Sequence, residues 1–280
     1  MIHEKFCKYL KAIGFSDTYE HQIKPFLRFC EAENIDFRNI AYEDFCNFII
    51  HLQEKEYGKG YINNLIKAVR KFYTFLSDSE DLDPKYLETV RKFKLLKTDT
   101  KLHDYITLKE LDELIGEALT YIRRIRPIKM KALLYFLFFT GVRRDELINM
   151  KRDNIDLEES KAIIKTPTKN KEERYAYYPD KVSQLLSTYF RVENENTNAF
   201  NMNRNKLQYL ISRLNKLMPK GRSLTIHTFR HSFAMMLADS NVNVKVSQKL
   251  MGHKNINSTM VYYNPNAKMI ERIYRKNVKG

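Results

Sequence analysis

The second half of this 280-residue chain holds, at telling spacings, the groups that suit work on a phosphodiester. Arg143 lies in Thr140-Gly141-Val142-Arg143-Arg144-Asp145-Glu146, at a turn that ends an apolar run. Arg230 lies in His227-x-x-Arg230, one helical turn beyond His227 on the same face. Gly252-His253 follows, and then the pair Tyr262-Tyr263, whose first member stands nine residues after that histidine. A phosphodiester is attacked readily only when its developing charge is neutralised and both the entering and the leaving oxygen have proton partners. Guanidinium groups suit the first task, because each presents a rigid fork of donors that matches two phosphate oxygens. Imidazoles suit the second, since histidine titrates nearest neutral pH. A phenol has a pKa of about 10 and attacks only when a base takes its proton and cations stabilise the phenolate.

Taken singly, each of these residues has a plainer use. Most arginines are surface charges, most lone histidines are structural, and among 18 tyrosines one chosen blind is structural. His3, His21, His51, His103 and His231 are placed in that structural class. Setting marks Arg143, His227, Arg230 and His253, and the residues alone leave open which tyrosine attacks. There is no His-Glu-x-x-His or comparable ligand spacing, and the eight glycines never form a G-x-x-x-x-G-K run. Both facts speak against a metal nuclease and against a nucleotide-binding phosphate loop.

The elements that must position these groups are mostly helices. From 1 to 98, apolar residues recur at three- and four-residue steps over His3–Ile13, Asp17–Glu33, Tyr42–Glu56 and Gly60–Leu76, with breaks at Gly14, Asn34 and Gly58-Lys59-Gly60. Asp83-Pro84 reads as an N-cap and first-turn proline opening a short helix to Phe93. Phe26, Phe29, Phe72, Tyr73 and Phe75 read as core, and Lys59, Lys67, Arg70 and Lys71 as a face that is either solvated or turned to a polyanion. Lys94–Asp104 is polar, basic and weakly periodic, and reads as a linker. Thr107-Leu-Lys-Glu110 is a capping box for a helix to Ile122. Helices follow over Ile128–Thr140 and Asp145–Met150, then a β hairpin of Ala162–Lys165 and Arg174–Tyr178 joined by a lysine-rich turn. Helices at Asp180–Val192, Asn203–Met218, His227–Ala238, Val244–Met251, Asn257–Tyr263 and Ala267–Lys276 complete a mainly α chain with one small β hairpin or sheet.

Charge separates the two halves. The net charge is +15, and residues 1–98 hold 16 lysines and arginines against 15 acids while residues 99–280 hold 33 against 19. The excess of +14 sits with the motifs and favours a phosphate-rich partner. Cys7, Cys30 and Cys46 have no C-x-x-C spacing and cannot all pair, which points to a reducing compartment and the cytoplasm. The longest apolar run, Ala132–Val142, spans about half a bilayer and reads as a buried helix, so no membrane partner is expected.

Arginine, lysine-rich hairpin, His-x-x-Arg, Gly-His and final tyrosine, in that order over about residues 104–280, resemble the catalytic domain of the tyrosine recombinase (phage integrase) family. The resemblance implies an N-terminal helical core-binding domain at 1–98, which clamps DNA, and a catalytic domain at 99–280. It implies that Arg143 and Arg230 grip the scissile phosphate, that Tyr262 attacks to give a 3′-phosphotyrosine and a free 5′-hydroxyl, and that His227 takes the phenolic proton. His253 would bond a non-bridging oxygen, and Glu146 would brace Arg143 from behind. Tyr262 has the family's spacing from His253, and Tyr263 falls one place late. The family's general acid is a hairpin lysine in Gly-Lys-Gly; this chain has Lys165-Thr-Pro-Thr-Lys169-Asn-Lys171, so Lys169 is favoured, then Lys171, then Lys165. On this reading Lys59, Lys67, Arg70 and Lys71 face the DNA, and Arg144 and Lys171 join them as DNA-contacting residues.

The partners implied are duplex DNA carrying an inverted-repeat site and further copies of the chain, four on two duplexes, with the Ala267–Lys276 helix docking in trans. No cofactor, ATP or metal is implied, because the phosphotyrosine conserves the bond energy. Two other readings compete: a type IB topoisomerase, which nicks arbitrary plasmid, and a catalytically silent DNA-binding regulator on the same scaffold, which traps no covalent adduct.

Overall fold

The structure, a computed structural model, describes residues 2–14, 18–79, 82–98, 104–165, 173–193 and 197–263. It divides into two compact units, residues 1–100 and 101–280.

The first unit is a bundle of α1 (Ile2–Ala12), α2 (Thr18–Ala32), α3 (Tyr42–Glu54), α4 (Lys59–Asp78) and α5 (Pro84–Lys92). Helix α4 is its axis: Ile62, Leu65, Ile66, Val69, Phe72, Tyr73 and Leu76 recur at three- and four-residue steps and are all buried. Phe6, Phe26, Phe45 and Phe48 close around that stripe. Fully burying such a side chain is worth about 1.5–3 kcal/mol, so these rings are held by the core and cannot serve as stacking surfaces for bases. The Tyr73 hydroxyl donates to the carbonyl of Phe37 at 2.5 Å. Asp83 caps α5 by accepting from the Lys85 amide, with Pro84 in the first turn. The segment read as the start of a linker is tied down here. Asn63 donates Nδ2 to the Leu96 carbonyl at 2.9 Å and accepts from the Leu96 amide at 2.8 Å, a side chain standing in for a strand partner.

The second unit holds α6 (Leu108–Tyr121), α7 (Pro127–Thr140), α8 (Arg144–Ile148), β1 (Ile155–Asp156), β2 (Lys161–Lys165), β3 (Glu173–Tyr177), α9 (Asp180–Val192), α10 (Arg204–Asn215), α11 (Ile226–Asp239), α12 (Val244–Met251) and α13 (Asn257–Tyr263). From Ala132 onward helix α7 is apolar round its circumference and almost wholly buried, the condition of a central helix, and it packs against α6, α9 and α11. Thr107 and Glu110 form the capping box that starts α6. The hairpin is the core of a three-stranded antiparallel sheet, β1-β2-β3, with Ala162 opposite Ala176 and Ile164 opposite Arg174. Strand β1 was not expected: two residues, Ile155 and Asp156, are too few to display a two-residue period. The expected helix at Ala267–Lys276, and Lys169 and Lys171 of the hairpin turn, lie outside the described residues. Among the described residues no helix is long and apolar enough to cross a membrane, and no cluster of three metal-ligating side chains occurs.

Candidate active site

The site is assembled where two helices end. Gly141 terminates α7 at φ +55° and Gly252 terminates α12 at φ +63°, the left-handed conformation that glycine adopts without a Cβ penalty. Close packing adds to the requirement at both. A Cβ on Gly141 would lie 2.6 Å from Phe233 Cδ1, and one on Gly252 would lie 2.8 Å from Cδ and Nε of Arg174. The carbonyls left over at these ends are acceptors at the negative pole of a helix, and each takes a guanidinium. Arg143 donates Nη2 to Gly252 O at 2.6 Å, while Arg230 donates Nη1 to Gly141 O at 2.7 Å and Nη2 to Met251 O. The two arginines named by the sequence are thereby brought to one place.

Glu146 lies beneath them, 3% exposed. Its carboxylate accepts from the Arg143 amide at 2.8 Å and from Arg143 Nη1 at 2.8 Å, and closes a third bond to Arg174 Nη2 at 2.9 Å. Burial pushes this carboxyl up, but the Arg174 charge and the Arg143 donors override it and hold Glu146 below the usual carboxylate range. Arg174, on β3, also donates Nη1 to Leu250 O at 3.0 Å, and its buried Nε has no hydrogen-bond partner. Burial first, then the Arg143 charge, depresses its guanidinium, while Glu146 raises it. Arg230 is depressed by burial and by Arg143 and Arg174, yet a guanidinium remains protonated in proteins. Three fixed positive charges therefore converge around one carboxylate.

His253 follows Gly252 directly. Its Nδ1 pairs with Thr259 Oγ1 at 2.8 Å, and its backbone is held at both ends by Gln248. Burial, then Arg230, Arg143 and Arg174, hold the imidazole down at about 4, so it is neutral at pH 7. His227, one turn before Arg230, is exposed and lines a cleft of about 700 Å³ together with Arg143, Arg144, Glu146, Arg204 and Thr225.

Helix α13 carries the tyrosines, and their environments differ. The Tyr263 hydroxyl is engaged twice, donating to Val242 O at 2.7 Å and pairing with Ser247 Oγ at 2.6 Å. The Tyr262 ring is 8% exposed, and its hydroxyl meets Nδ1 of His231, with ring centroids 5.7 Å apart. Burial raises the phenol's pKa and the Arg230 charge opposes it, which places Tyr262 within the field of Arg230. The residue at the phenol is thus His231, which the sequence reading set aside as structural, whereas His227 was expected to take the proton. The overlooked signal is spacing: His231 is four residues after His227 and follows Arg230, so a helix that seats Arg230 inward turns His231 toward α13. Arg174 was overlooked in the same way. It shares the inward register of Ala176 while Glu173, Tyr175 and Tyr177 are exposed, and a charge on a buried strand face marks a partnered site.

The remaining basic residues differ in their employment. Lys59 and Lys67 are exposed on α4, and Lys71 lies 5.5 Å from the Tyr9 ring. Arg70, read with them as one face, has its guanidinium turned onto the carbonyls of Arg91 and Phe93, groups left without helical partners at the end of α5. Arg144 is exposed and pairs with Asp145 at 3.4 Å. Lys165 is exposed at the end of β2 and pairs with Glu173 at 3.4 Å.

Residues 104–269 match the phage integrase family. Tyrosine recombinase XerC of Leptospira interrogans is 24% identical over 98% of this chain and 91% of its own length. Tyrosine recombinase XerA of Saccharolobus solfataricus is 30% identical over 89% of this chain and 81% of its own. Among solved structures, the Tn1549 transposon integrase in complex with transposon right end DNA superposes with a TM-score of 0.73 at 18% identity, covering 98% of both chains. The XerH recombinase bound to its difH substrate gives 0.70 at 18% identity, covering 97% of this chain and 82% of that one. None of these matches favours the topoisomerase or the silent regulator.

Proposed function

This chain belongs to the phage integrase family and is a tyrosine-type site-specific DNA recombinase, and from that premise we propose that Tyr262 is its nucleophile and that Arg143 and Arg230 hold the scissile phosphate. The observation that carries this reading is the convergence of both guanidiniums at the ends of α7 and α12, beside the helix that bears Tyr262. Attack gives a 3′-phosphotyrosine and releases the 5′-oxygen, and a 5′-hydroxyl from another strand reverses the step. Because the phosphotyrosine retains the energy of the broken bond, rejoining needs no nucleotide. The fixed donors act where charge develops on the phosphoryl oxygens, an effect of about 3–4 kcal/mol per donor in comparable oxyanion sites.

His253, neutral and tethered through Nδ1, is suited to donate Nε2–H to a non-bridging oxygen. Glu146 holds Arg143 from behind. A hairpin lysine, Lys169 ahead of Lys171 and Lys165, supplies the proton to the leaving 5′-oxygen. The helical unit at 1–98 clamps the duplex, with Lys59, Lys67, Lys71, Arg144 and Lys171 neutralising phosphates. The working assembly is four copies on two duplexes with inverted-repeat sites, each copy passing its 267–276 segment to a neighbour. We place it in the cytoplasm, in keeping with three cysteines that form no disulfide.

The test is covalent capture. The full chain is incubated with a pool of nicked duplexes of randomised sequence, and DNA that survives denaturation on the protein is sequenced. A single inverted-repeat site attached through Tyr262 is expected, with Tyr262→Phe binding that site but forming no adduct. Capture of nothing, or of unrelated sequences, sinks the reading.

A further inference from the structure

We infer that His231, and not His227, is the group that takes the proton from Tyr262 as the phenol attacks. The inference rests on the reading of Tyr262 as nucleophile and adds to it an acceptor that touches the reacting oxygen. The hydroxyl of Tyr262 and Nδ1 of His231 are hydrogen-bonded, with the two rings 5.7 Å apart and inclined at 40°. For Nδ1 to accept, the imidazole carries its proton on Nε2.

The surroundings favour this assignment over the other histidines. His253 has Nδ1 committed to Thr259, and burial with three neighbouring guanidiniums opposes placing a further charge on its ring. His227 is exposed in the cleft shared with Arg204 and Thr225, on the turn of α11 that precedes Arg230. His231 lies on the following turn, and α11 packs directly on α13. Burial of the Tyr262 ring makes the phenol harder to ionise, so an acceptor already bonded to its oxygen removes the largest obstacle to attack.

In the step, the Tyr262 O–H bond breaks and the proton passes to His231 Nδ1. The freed electron pair on the phenolic oxygen forms the new P–O bond. The P–O5′ bond breaks with its pair on O5′, which takes a proton from the ammonium of a hairpin lysine. Imidazolium then stands beside the ester oxygen and returns its proton to Tyr262 when a 5′-hydroxyl displaces it.

The test uses the full chain and the nicked duplex recovered by covalent capture. His231→Gln is expected to bind that duplex with unchanged affinity and to form the adduct at least about 100-fold more slowly, the usual scale for a lost general base. His231→Ala is expected to regain rate with added imidazole, which a packing role would not produce. A duplex with sulfur in place of the bridging 5′-oxygen, whose leaving group needs no proton, should rescue Lys169→Ala and leave His231→Gln slow. Cleavage by His231→Gln within threefold of the unsubstituted chain, or faster, overturns the proposal, as does rescue of His231→Gln by the sulfur substrate. Peptide mapping of the wild-type adduct separates this from failure of the nucleophile itself: an adduct on another tyrosine removes Tyr262, whatever the His231 variants do.

Discussion

Arg174 donates Nη2 to Glu146 Oε2 at 2.9 Å and so ties the β hairpin to the turn that carries Arg143. Both partners are deeply buried, at 11% and 1% side-chain exposure. Removing one member of such a pair strands the other, at about 3–5 kcal/mol. Arg174→Ala is therefore expected to lower the melting temperature by several degrees and to abolish cleavage, whereas Arg174→Lys keeps the charge but loses the bond to Leu250 O or to Glu146. A melting curve for Arg174→Ala that overlays the wild type would remove this brace from the account.

Gly252 provides a cleaner probe of the same contact. Gly252→Ala and Gly221→Ala both force alanine into positive φ, at +63° and +87°, which costs about 1–2 kcal/mol. Only at 252 does the new Cβ strike Arg174, at 2.8 Å, because nothing lies within 4 Å at 221. The two variants should melt lower, with the larger fall at 252, and only Gly252→Ala should cleave slowly. Equal cleavage rates would show that the Arg174 contact is irrelevant to chemistry.

Arg143 reaches Glu146 and Gly252 O through separate nitrogens of one planar fork. An ammonium cannot span both while presenting donors to a phosphate. Arg143→Lys is expected to bind DNA and to lose about 100-fold or more in single-turnover cleavage. Retention of more than a tenth of the rate would argue against this fork as a phosphate grip.

The pH dependence of stability follows from His253. Its folded value, about 4, lies below the ordinary 6.5, so between those limits protons bind the unfolded chain in preference. The contribution is fully present above pH 6.5 and is lost as pH falls toward 4. Denaturant titrations at pH 6.5 and 5 should show a smaller loss for His253→Asn than for the wild type. The depressed Glu146 carboxyl adds its own loss only at lower pH, as its unfolded counterpart protonates near 4.5. Identical losses for the two proteins would exclude His253 as the source.

Tyr263→Phe gives up bonds to Val242 O and Ser247, a loss of about 1–2 kcal/mol at the usual worth of a hydrogen bond. Its adduct yield on the captured duplex should equal the wild type's, in contrast to Tyr262→Phe. An adduct lost in Tyr263→Phe and kept in Tyr262→Phe would reverse the assignment.

Periodicity and capping made the helices legible, because the apolar stripe of α4, the Thr107 box and Asp83-Pro84 are local signals. Arg143 and Arg230 were legible as candidates from their settings, and Glu146 as the brace of Arg143 from the family resemblance, yet the carbonyl partners of the two arginines were not. Backbone carbonyls at Gly141, Met251 and Gly252 carry no side-chain signature, and the contacts join positions 89 and 109 residues apart. His231 looked ordinary for a related reason: its significance depends on α13 returning to α11, which only the tertiary packing decides. Arg70 reversed the other way, since α5 supplies acceptors that a reading of α4 alone does not reveal.

The carbonyl anchors on Arg143 and Arg230 exist before any duplex arrives. Freezing a long, rotamer-rich side chain at an encounter ordinarily takes about 0.5–1.5 kcal/mol, and here that ordering is completed when the domain folds. Added salt should then weaken capture of DNA by screening the outlying lysines, while the turnover of strands already bound stays nearly constant.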